Sequence, residues 1–397
     1  MKILVLNTGS SSVKFQVLDT NTQACLASGL IENIGSENGR LRAKHGDEKI
    51  ERDFGQIDHK FALDAADKVL NEIGVAKGGY DGIGHRIVSG GEKFTESMLV
   101  TDDVVKGIED CIELAPLHNP SHLVGIREAL RLFPTTPQVV VFDTAFHQTM
   151  PEHAYMYAVP RKLYDEAHLR RYGAHGTSHR FVSAKTAEML GRPLSEIAIV
   201  TAHLGNGCSC AAVVDGKCMD TTMGLTPLEG LIMGTRSGDI DPSVYSFLNK
   251  RYGWDISRIN NMLNKDSGLL GISGLSNDMR TLVNASESGH EGAKLAIEMF
   301  AYRLAKLIAG MVVALGRKPD AIVFTGGIGE NSIPPRMLTI KHLAGLGYKI
   351  DDAKNKIHGS ATGGVITADD SPIAMIVPTN EELLIALDTE KVINSKK

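Results

Sequence analysis

Cysteine is scarce and unpatterned in this chain: Cys25, Cys111, Cys208, Cys210 and Cys218 are five residues, an odd number with no framework spacing. That excludes a disulfide scaffold and reads as reduced thiols in a cytoplasmic protein. CxxC and HExxH are absent, so His203, Cys208, Cys210 and Cys218 lack the spacing of a zinc site. An excess of positive charge is absent too. The net charge is −5, which gives no support for a nucleic-acid or membrane-surface partner. The apolar run Ile3–Leu6 is too short for a signal-peptide core. The most apolar long segment, GAKLAIEMFAYRLAKLIAGMVVALG, carries Lys294, Glu298, Arg303 and Lys306, so it reads as a core helix and not as a membrane span. Leu304, Leu307, Ile308, Met311, Val312 and Leu315 recur there at helical spacing.

Several catalytic signatures are missing as well. There is no GxxxxGK[ST], which excludes a Walker-type phosphate loop, and GGIGEN is not the GxGxxG of a dinucleotide fold. No GxSxG elbow supports a serine hydrolase. No low-complexity stretch or charged linker marks a domain boundary, although 397 residues is long enough for two domains.

What is present alternates β-branched runs with amphipathic helices, which predicts an α/β fold. Strands are expected at KILVL, VKFQVLD, QVVVFD, IAIVTAHL, CAAVVDG and AIVFTGG, and helices at HKFALDAADKVLNEI, HLVGIREALRLF and HRFVSAKTAEML. ILVLNTGSSSVKFQVLD and IAIVTAHLGNGCSCAAVVDGK share one order of strand, Gly-containing polar loop and strand, which suggests a duplicated fold.

Three loops suit phosphate. The first offers glycine amides, the hydroxyls of Ser10, Ser11 and Ser12, and the charge of Lys14. The second has Gly205, Asn206, Gly207 and Ser209. The third follows the run Ala321–Thr325 with Gly326, Gly327 and Gly329, a strand entering a Gly-rich turn. Each alone is better explained as a tight turn. Three in one chain favour a nucleotide held between two domains.

Ionic residues gather in loop-like segments between them: Arg86, His118, Asp143, His175, Arg236 and Glu381 stand among Gly, Pro, Ser and Thr. Asp143 could instead cap the next helix, and His85, His122, His147 and His179 are read as structural. A magnesium–nucleotide site needs only one or two carboxylates, which Asp143 or Glu381 could supply.

At these residues the chain resembles the acetate kinase family of the acetate and sugar kinase/Hsp70/actin superfamily. NTGSSSVKF, GHRIVSGGEKF, APLHNP, FDTAFHQTMP, RRYGAHGTSH, HLGNGCS, GTRSGDIDP, SNDMR, GGIGEN and PTNEE occur in the family's order, essentially end to end. The resemblance implies two duplicated ribonuclease-H-like (actin-like ATPase) domains with an interdomain nucleotide cleft. These are residues 1–150 rejoined by 380–397, and residues 151–379. It implies a cytoplasmic homodimer and the reaction ATP + acetate ⇌ ADP + acetyl phosphate, with Mg²⁺ or, in its place, Mn²⁺. Asn7 and Glu381 then fall at magnesium-associated positions. Ser10, Ser12 and Lys14 belong to the first phosphate loop, and His203, Leu204, Gly205, Asn206 and Gly207 to the second. Asp278, Met279 and Arg280 would line the adenosine site, completed by Gly327, Ile328, Gly329, Glu330 and Asn331. Arg86 and Arg236 match residues that hold acetate and the γ-phosphate. Asp143 matches the family's essential aspartate and is expected to position Mg²⁺ or an Asn7-bound water. His175 matches a transition-state stabiliser supported by His118.

The chemistry agrees with these assignments. A carboxylate is already ionised at neutral pH and needs no general base. The obstacle is an anion attacking an anionic phosphate, which arginine, histidine and Mg²⁺ answer by charge neutralisation. Ser89 and Ala174 stand where the family often has His and Phe. Both are expected beside an apolar acyl pocket walled by Val88, Leu117 and Pro227. Propionate or another short-chain acid is therefore the competing substrate. An actin- or chaperone-like ATPase and a sugar kinase are the other readings. The first lacks an appended peptide-binding domain here, and the motif set as a whole tells against the second.

Overall fold

The computed structural model describes residues 1–116 and 118–395. Leu117, expected in the acyl pocket, lies outside the described residues. The chain forms two compact units, Met1–Phe146 with Asn380–Lys397, and His147–Thr379.

In the first unit the described residues build an eight-stranded sheet in the order β5-β4-β3-β2-β1-β6-β8-β7. Its strands are β1 (Lys2–Thr8), β2 (Ser12–Asp19), β3 (Ala24–Glu32), β4 (Arg40–His45), β5 (Glu48–Asp53), β6 (Gly82–Ile87), β7 (Met98–Leu99) and β8 (Gln138–Phe142). β1 to β5 pair antiparallel, whereas β1–β6 and β6–β8 are parallel. Ile3, Leu4, Val5 and Leu6 are all buried, as expected of a central strand covered on both faces. Leu4 and Leu6 pack with Leu63, Ala66, Leu70 and Ala129 of helices His59–Glu72 and Asn119–Leu132. The opposite face receives the last helix, Glu381–Asn394. β6 carries glycines there: a Cβ on Gly84 would stand 2.5 Å from Thr389 Oγ1 and 2.7 Å from Ile385 Cγ2. Without side chains at these positions, the helix seats directly on the strand that ends in Arg86. PTNEE is its N-terminus: Asn380 Oδ1 accepts from Leu383 N at 3.0 Å, and Glu381 and Glu382 occupy the first turn, where the helix dipole favours anions.

The second unit holds a five-stranded sheet, β11-β10-β9-β12-β13. The strands are β9 (Ala198–Leu204), β10 (Cys208–Val214), β11 (Lys217–Thr221), β12 (Ala321–Thr325) and β13 (Ala374–Ile376). Three antiparallel strands are followed by two parallel ones, with β9 against both β10 and β12. This is the order of β3-β2-β1-β6-β8 in the first unit, so the echo between the two hairpin sequences reflects a repeated topology. The long apolar segment is helix Glu291–Ala314, with Ala293, Ile297, Phe300, Leu304, Ile308 and Met311 in the core. No helix among the described residues is long and apolar enough to cross a membrane.

One expectation changes in form. The third glycine-rich segment is not a turn but a short helix, Gly326–Asn331. Gly326 breaks β12 with φ +75°, where an added Cβ would stand 2.9 Å from Leu204 O, and Asn331 Nδ2 donates back to Gly327 O at 3.0 Å.

The sheet interior gives a pH prediction. His85 on β6 is buried and donates from Nε2 to Gln138 Oε1 at 2.8 Å, and burial lowers its pKa from 6.5 to about 4. The unfolded chain therefore binds a proton below about pH 6.5 that the folded chain refuses until about pH 4. Stability is full above this window and falls as pH drops through it, by about 2 kcal/mol at pH 5 from this group alone. Urea unfolding at pH 7 and pH 5 should show the loss, and His85→Gln should shrink the difference by that amount.

Candidate active site

The first unit gathers its chemistry at the carboxyl ends of β1, β6 and β8. β1 ends at Asn7 and Thr8 and passes into the serine loop. Gly9 N donates to Ser12 O at 2.8 Å, and Ile34 N to Ser11 O at 3.0 Å. The His59 ring donates from Nε2 to Gly9 O at 2.8 Å. The loop is thus held by its backbone, with the Ser10 side chain exposed. Lys14 does not stand alone as a phosphate cation: it forms an ion pair with Glu382.

Arg86, near the end of β6, grips Asp143, which directly follows β8. Nη2 lies 2.7 Å from Oδ2, and Nε lies 3.2 and 3.1 Å from Oδ1 and Oδ2. Glu381 Oε2 is 3.7 Å from the same Nη2. The Asp143 side chain is 1% exposed and that of Arg86 20%. Burial opposes the arginine's charge, but Asp143 and Glu381 outweigh it and raise its pKa. Asp143 is therefore the partner of Arg86, whereas the sequence also allowed a helix cap. His118 precedes helix Asn119–Leu132 without a side-chain capping bond. His122, one turn on, is buried, and burial with the charges of Arg86 and His118 lowers its pKa to about 3. Val88 is buried, and Ser89 is pinned by Asn119, whose Nδ2 donates to Ser89 O at 3.0 Å.

In the second unit, β9 leads into Gly205–Gly207. His203 stacks on His175 with ring centroids 4.3 Å apart, and its Nδ1 meets Ser178 Oγ at 2.8 Å. Ser178 in turn meets Thr379 Oγ1 at 2.9 Å. His175 has φ +56°, in the left-handed region that few non-glycine residues occupy. Gly234 N donates to Asn206 O at 2.9 Å, and a Cβ on Gly234 would stand 2.0 Å from Asn206 Oδ1. Arg236 Nη1 donates to Pro227 O at 2.7 Å. Burial lowers the Arg236 pKa, and among the described residues no carboxylate pairs with it. Ala174 is buried, and its carbonyl accepts from His147 Nε2 at 2.9 Å.

Beside this loop lies a cavity of about 860 Å³, lined by Gly205, Asn206, Asp278, Met279, Arg280, Gly327, Ile328 and Asn331. Gly329 and Glu330, expected with them, do not line it. Gly329 is buried against Phe324, and the Glu330 carboxylate accepts from Gly326 N at 2.9 Å and Thr379 N at 3.1 Å. The cavity wall also includes Asn277, Val283, Asn284 and Glu287, which the sequence reading missed. Asp278 Oδ1 caps their helix, Met279–Glu287, by accepting from Thr281 N at 2.7 Å. Arg280, Val283, Asn284 and Glu287 recur at helical spacing, a signal visible only once a helix is assigned there. Among the described residues no group of three or more His, Cys, Asp or Glu side chains forms a metal cage.

The profile of the acetokinase family matches residues 2–387. The sequence is 54% identical over 390 residues to an acetate kinase of Chromobacterium violaceum, covering 98% of each chain. It is 54% identical over 388 residues to an acetate kinase of Stutzerimonas stutzeri, covering 98% of this chain and 97% of the other. Among solved structures, a propionate kinase from Francisella tularensis superposes with a TM-score of 0.94 at 47% identity, covering 98% of this chain and 99% of that one. The Porphyromonas gingivalis acetate kinase superposes with a TM-score of 0.91 at 42% identity, covering 99% of both.

Proposed function

The chain belongs to the acetokinase family and is a kinase that phosphorylates acetate; from that premise we propose how its residues divide the work. ATP is the phosphoryl donor, and its adenosine end occupies the cavity of about 860 Å³ beside Asn206, Asp278–Arg280 and Gly327. That cavity carries the reading, because it has the size of a drug- or nucleotide-sized ligand site and opens at the glycine loop. Val283 and Ile328 supply apolar wall, while the Asn206 and Gly205 backbone borders the phosphates.

Arg86 holds the acetate carboxylate. Its fork is aimed by Asp143, which acts through the arginine and takes no proton, since acetate arrives ionised. Val88, which is buried, borders the methyl group. Arg236 and His175, with support from His118, meet the transferring phosphoryl group, where charge neutralisation supplies most of the catalysis. The serine loop, Ser10 and Ser12 with Lys14, and His203–Gly207 frame the remaining phosphate oxygens.

The donor set suits a hard, oxygen-preferring divalent ion, Mg²⁺ or in its place Mn²⁺. Glu381 would offer a carboxylate and Asn7 an amide oxygen, with phosphate and water as the remaining ligands. When bound, the ion offsets phosphate charge.

A cytoplasmic homodimer completes the reading. Support comes from Phe247, Tyr252 and Ile256, which are 64%, 61% and 75% exposed on and beside helices Val244–Tyr252 and Ile256–Lys265. Light scattering should give twice 42.8 kDa, and Phe247→Glu with Ile256→Glu should halve it.

Hydroxylamine trapping tests the reaction as a whole. With Mg·ATP, acetate should yield hydroxamate faster than propionate or butyrate, and chelation of the divalent ion should abolish it. The likeness to a propionate kinase makes propionate the relevant competitor, because one methylene in an apolar pocket discriminates by only about 1–3 kcal/mol. ATP hydrolysis with no hydroxamate from any carboxylate would defeat the assignment of donor and acceptor.

A further inference from the structure

Ser209 Oγ lies between two imidazoles, 2.9 Å from His175 Nδ1 and 2.8 Å from His179 Nε2. A hydroxyl has one proton, so it donates to one of these nitrogens and accepts an N–H from the other. The direction depends on the Thr201 hydroxyl one residue further on. His179 Nδ1 is 2.7 Å from Thr201 Oγ1, and the Thr201 hydroxyl has the carbonyl of Ala211 as acceptor at 3.4 Å. Where that proton turns to Ala211, Thr201 accepts from His179 Nδ1–H. His179 is fully buried; burial, and then the neighbouring His147 and His203, drive its pKa well below the ordinary value. The ring therefore carries a single proton, and with Thr201 accepting, that proton sits on Nδ1 and Nε2 is bare. Ser209 donates to that nitrogen, and its lone pair accepts from His175 Nδ1–H.

We propose that Thr201, His179 and Ser209 form a proton-ordered chain that holds His175 in its Nδ1–H tautomer and makes His179 and Ser209 positioning residues for phosphoryl transfer. This rests on the assignment of His175 to the phosphoryl group. Its consequence is chemical. A neutral His175 presents a bare Nε2, which repels a phosphoryl oxygen; only the imidazolium, with both nitrogens protonated, donates to one. The Nε2 atom is aimed at the right place. A Cβ on Gly207 would stand 3.3 Å from His175 Nε2 and 3.5 Å from Arg236 Nη2, so ring and guanidinium converge over the glycine loop. Among the groups facing His175 within its unit are His203 on its ring face, Arg236 beyond Gly207, and His179 through Ser209, with His147 edge-on to His179 at 5.8 Å. The tautomer chain makes His175 a second cation beside Arg236 when it works, and never a neutral donor.

The full chain labelled with ¹⁵N-histidine reports the tautomer directly by two-dimensional ¹⁵N–¹H NMR, with His175 assigned by its loss in His175→Gln. Neutral His175 should show a protonated Nδ1 and a bare Nε2. Ser209→Ala should shift it toward Nε2–H and lower kcat about tenfold, the scale of an outer-shell partner, with KM for acetate and ATP within about twofold. Ser209→Thr, which keeps the hydroxyl, should retain the wild-type pattern. A wild-type His175 protonated at Nε2 when neutral would overturn the chain without requiring any variant to fold, as would an unchanged pattern in Ser209→Ala. If the NMR pattern stood but His175→Gln kept full activity, the assignment of His175 to the phosphoryl group would fail instead.

Discussion

Replacing Arg86 with alanine should lower kcat by roughly 10³-fold and destabilise the first unit by about 3–5 kcal/mol, two losses from one side chain. The kinetic loss follows from removing the fork that holds the attacking carboxylate. The stability loss follows from Asp143, whose side chain is 1% exposed and whose two oxygens both accept from Arg86. Without the guanidinium, that carboxylate is a buried charge with its strongest partner gone. Arg86→Lys should restore part of the stability and little of the activity, because an ammonium is a point charge and cannot span both Asp143 oxygens while presenting a second edge. Asp143→Asn should reduce kcat with an unchanged dependence on Mg²⁺ concentration, since the aspartate acts through Arg86. A double-mutant cycle on Arg86 and Asp143, read by urea unfolding, would reveal the coupling. An Arg86→Ala protein with wild-type stability would mean that the pair is not formed.

Arg236→Ala should be as damaging to rate and harmless to the fold. The rate should fall by roughly 10³-fold, the lower end of what an arginine on a transferring phosphoryl group contributes. Yet burial lowers the Arg236 pKa, and among the described residues its charge has no carboxylate beside it, only the Pro227 carbonyl at 2.7 Å. Removing an uncompensated, desolvated cation relieves a cost, so the melting temperature should stay level or rise. ADP with inorganic phosphate should raise the wild-type melting temperature by mass action, and the variant should lose the phosphate share of that rise. A marked drop in melting temperature without ligand would show that Arg236 holds the fold together. The contrast with Arg86 separates an arginine that is paired before substrate arrives from one that waits for it.

Much of this was legible in the residues. The hairpin Lys2–Asp19 and its counterpart Ala198–Val214 could be recognised as repeats because strand, glycine loop and strand follow one another without a gap. The segment from 380, which the resemblance joins to the first unit, starts its helix on a local cap, Asn380. Elsewhere local signals misled. GGIGEN looks like a turn, since glycine disfavours helices, yet it forms one because β12 must stop beneath Leu204 and Asn331 closes the turn. Glu330 sits in the motif expected to meet nucleotide, and its Oε1 accepts from the amides of Gly326 and Thr379, contacts no local signal marks. His179 read as a structural histidine; its tie to His175 runs through Ser209, 30 residues away, and leaves no trace in the sequence around it.

The sequence by itself determined the family, the reaction and the residue types that serve it. Glycine amides, hydroxyls, arginines and an ionised acceptor constrain chemistry wherever they fold. Only the tertiary structure decided who is paired with whom. Arg86 and Asp143, 57 residues apart, meet because β6 and β8 lie parallel and adjacent, while Arg236 is left with a single carbonyl. Burial and hydrogen-bond partners are properties of neighbours in space, and strands brought side by side from distant parts of the chain carry no local mark of their meeting.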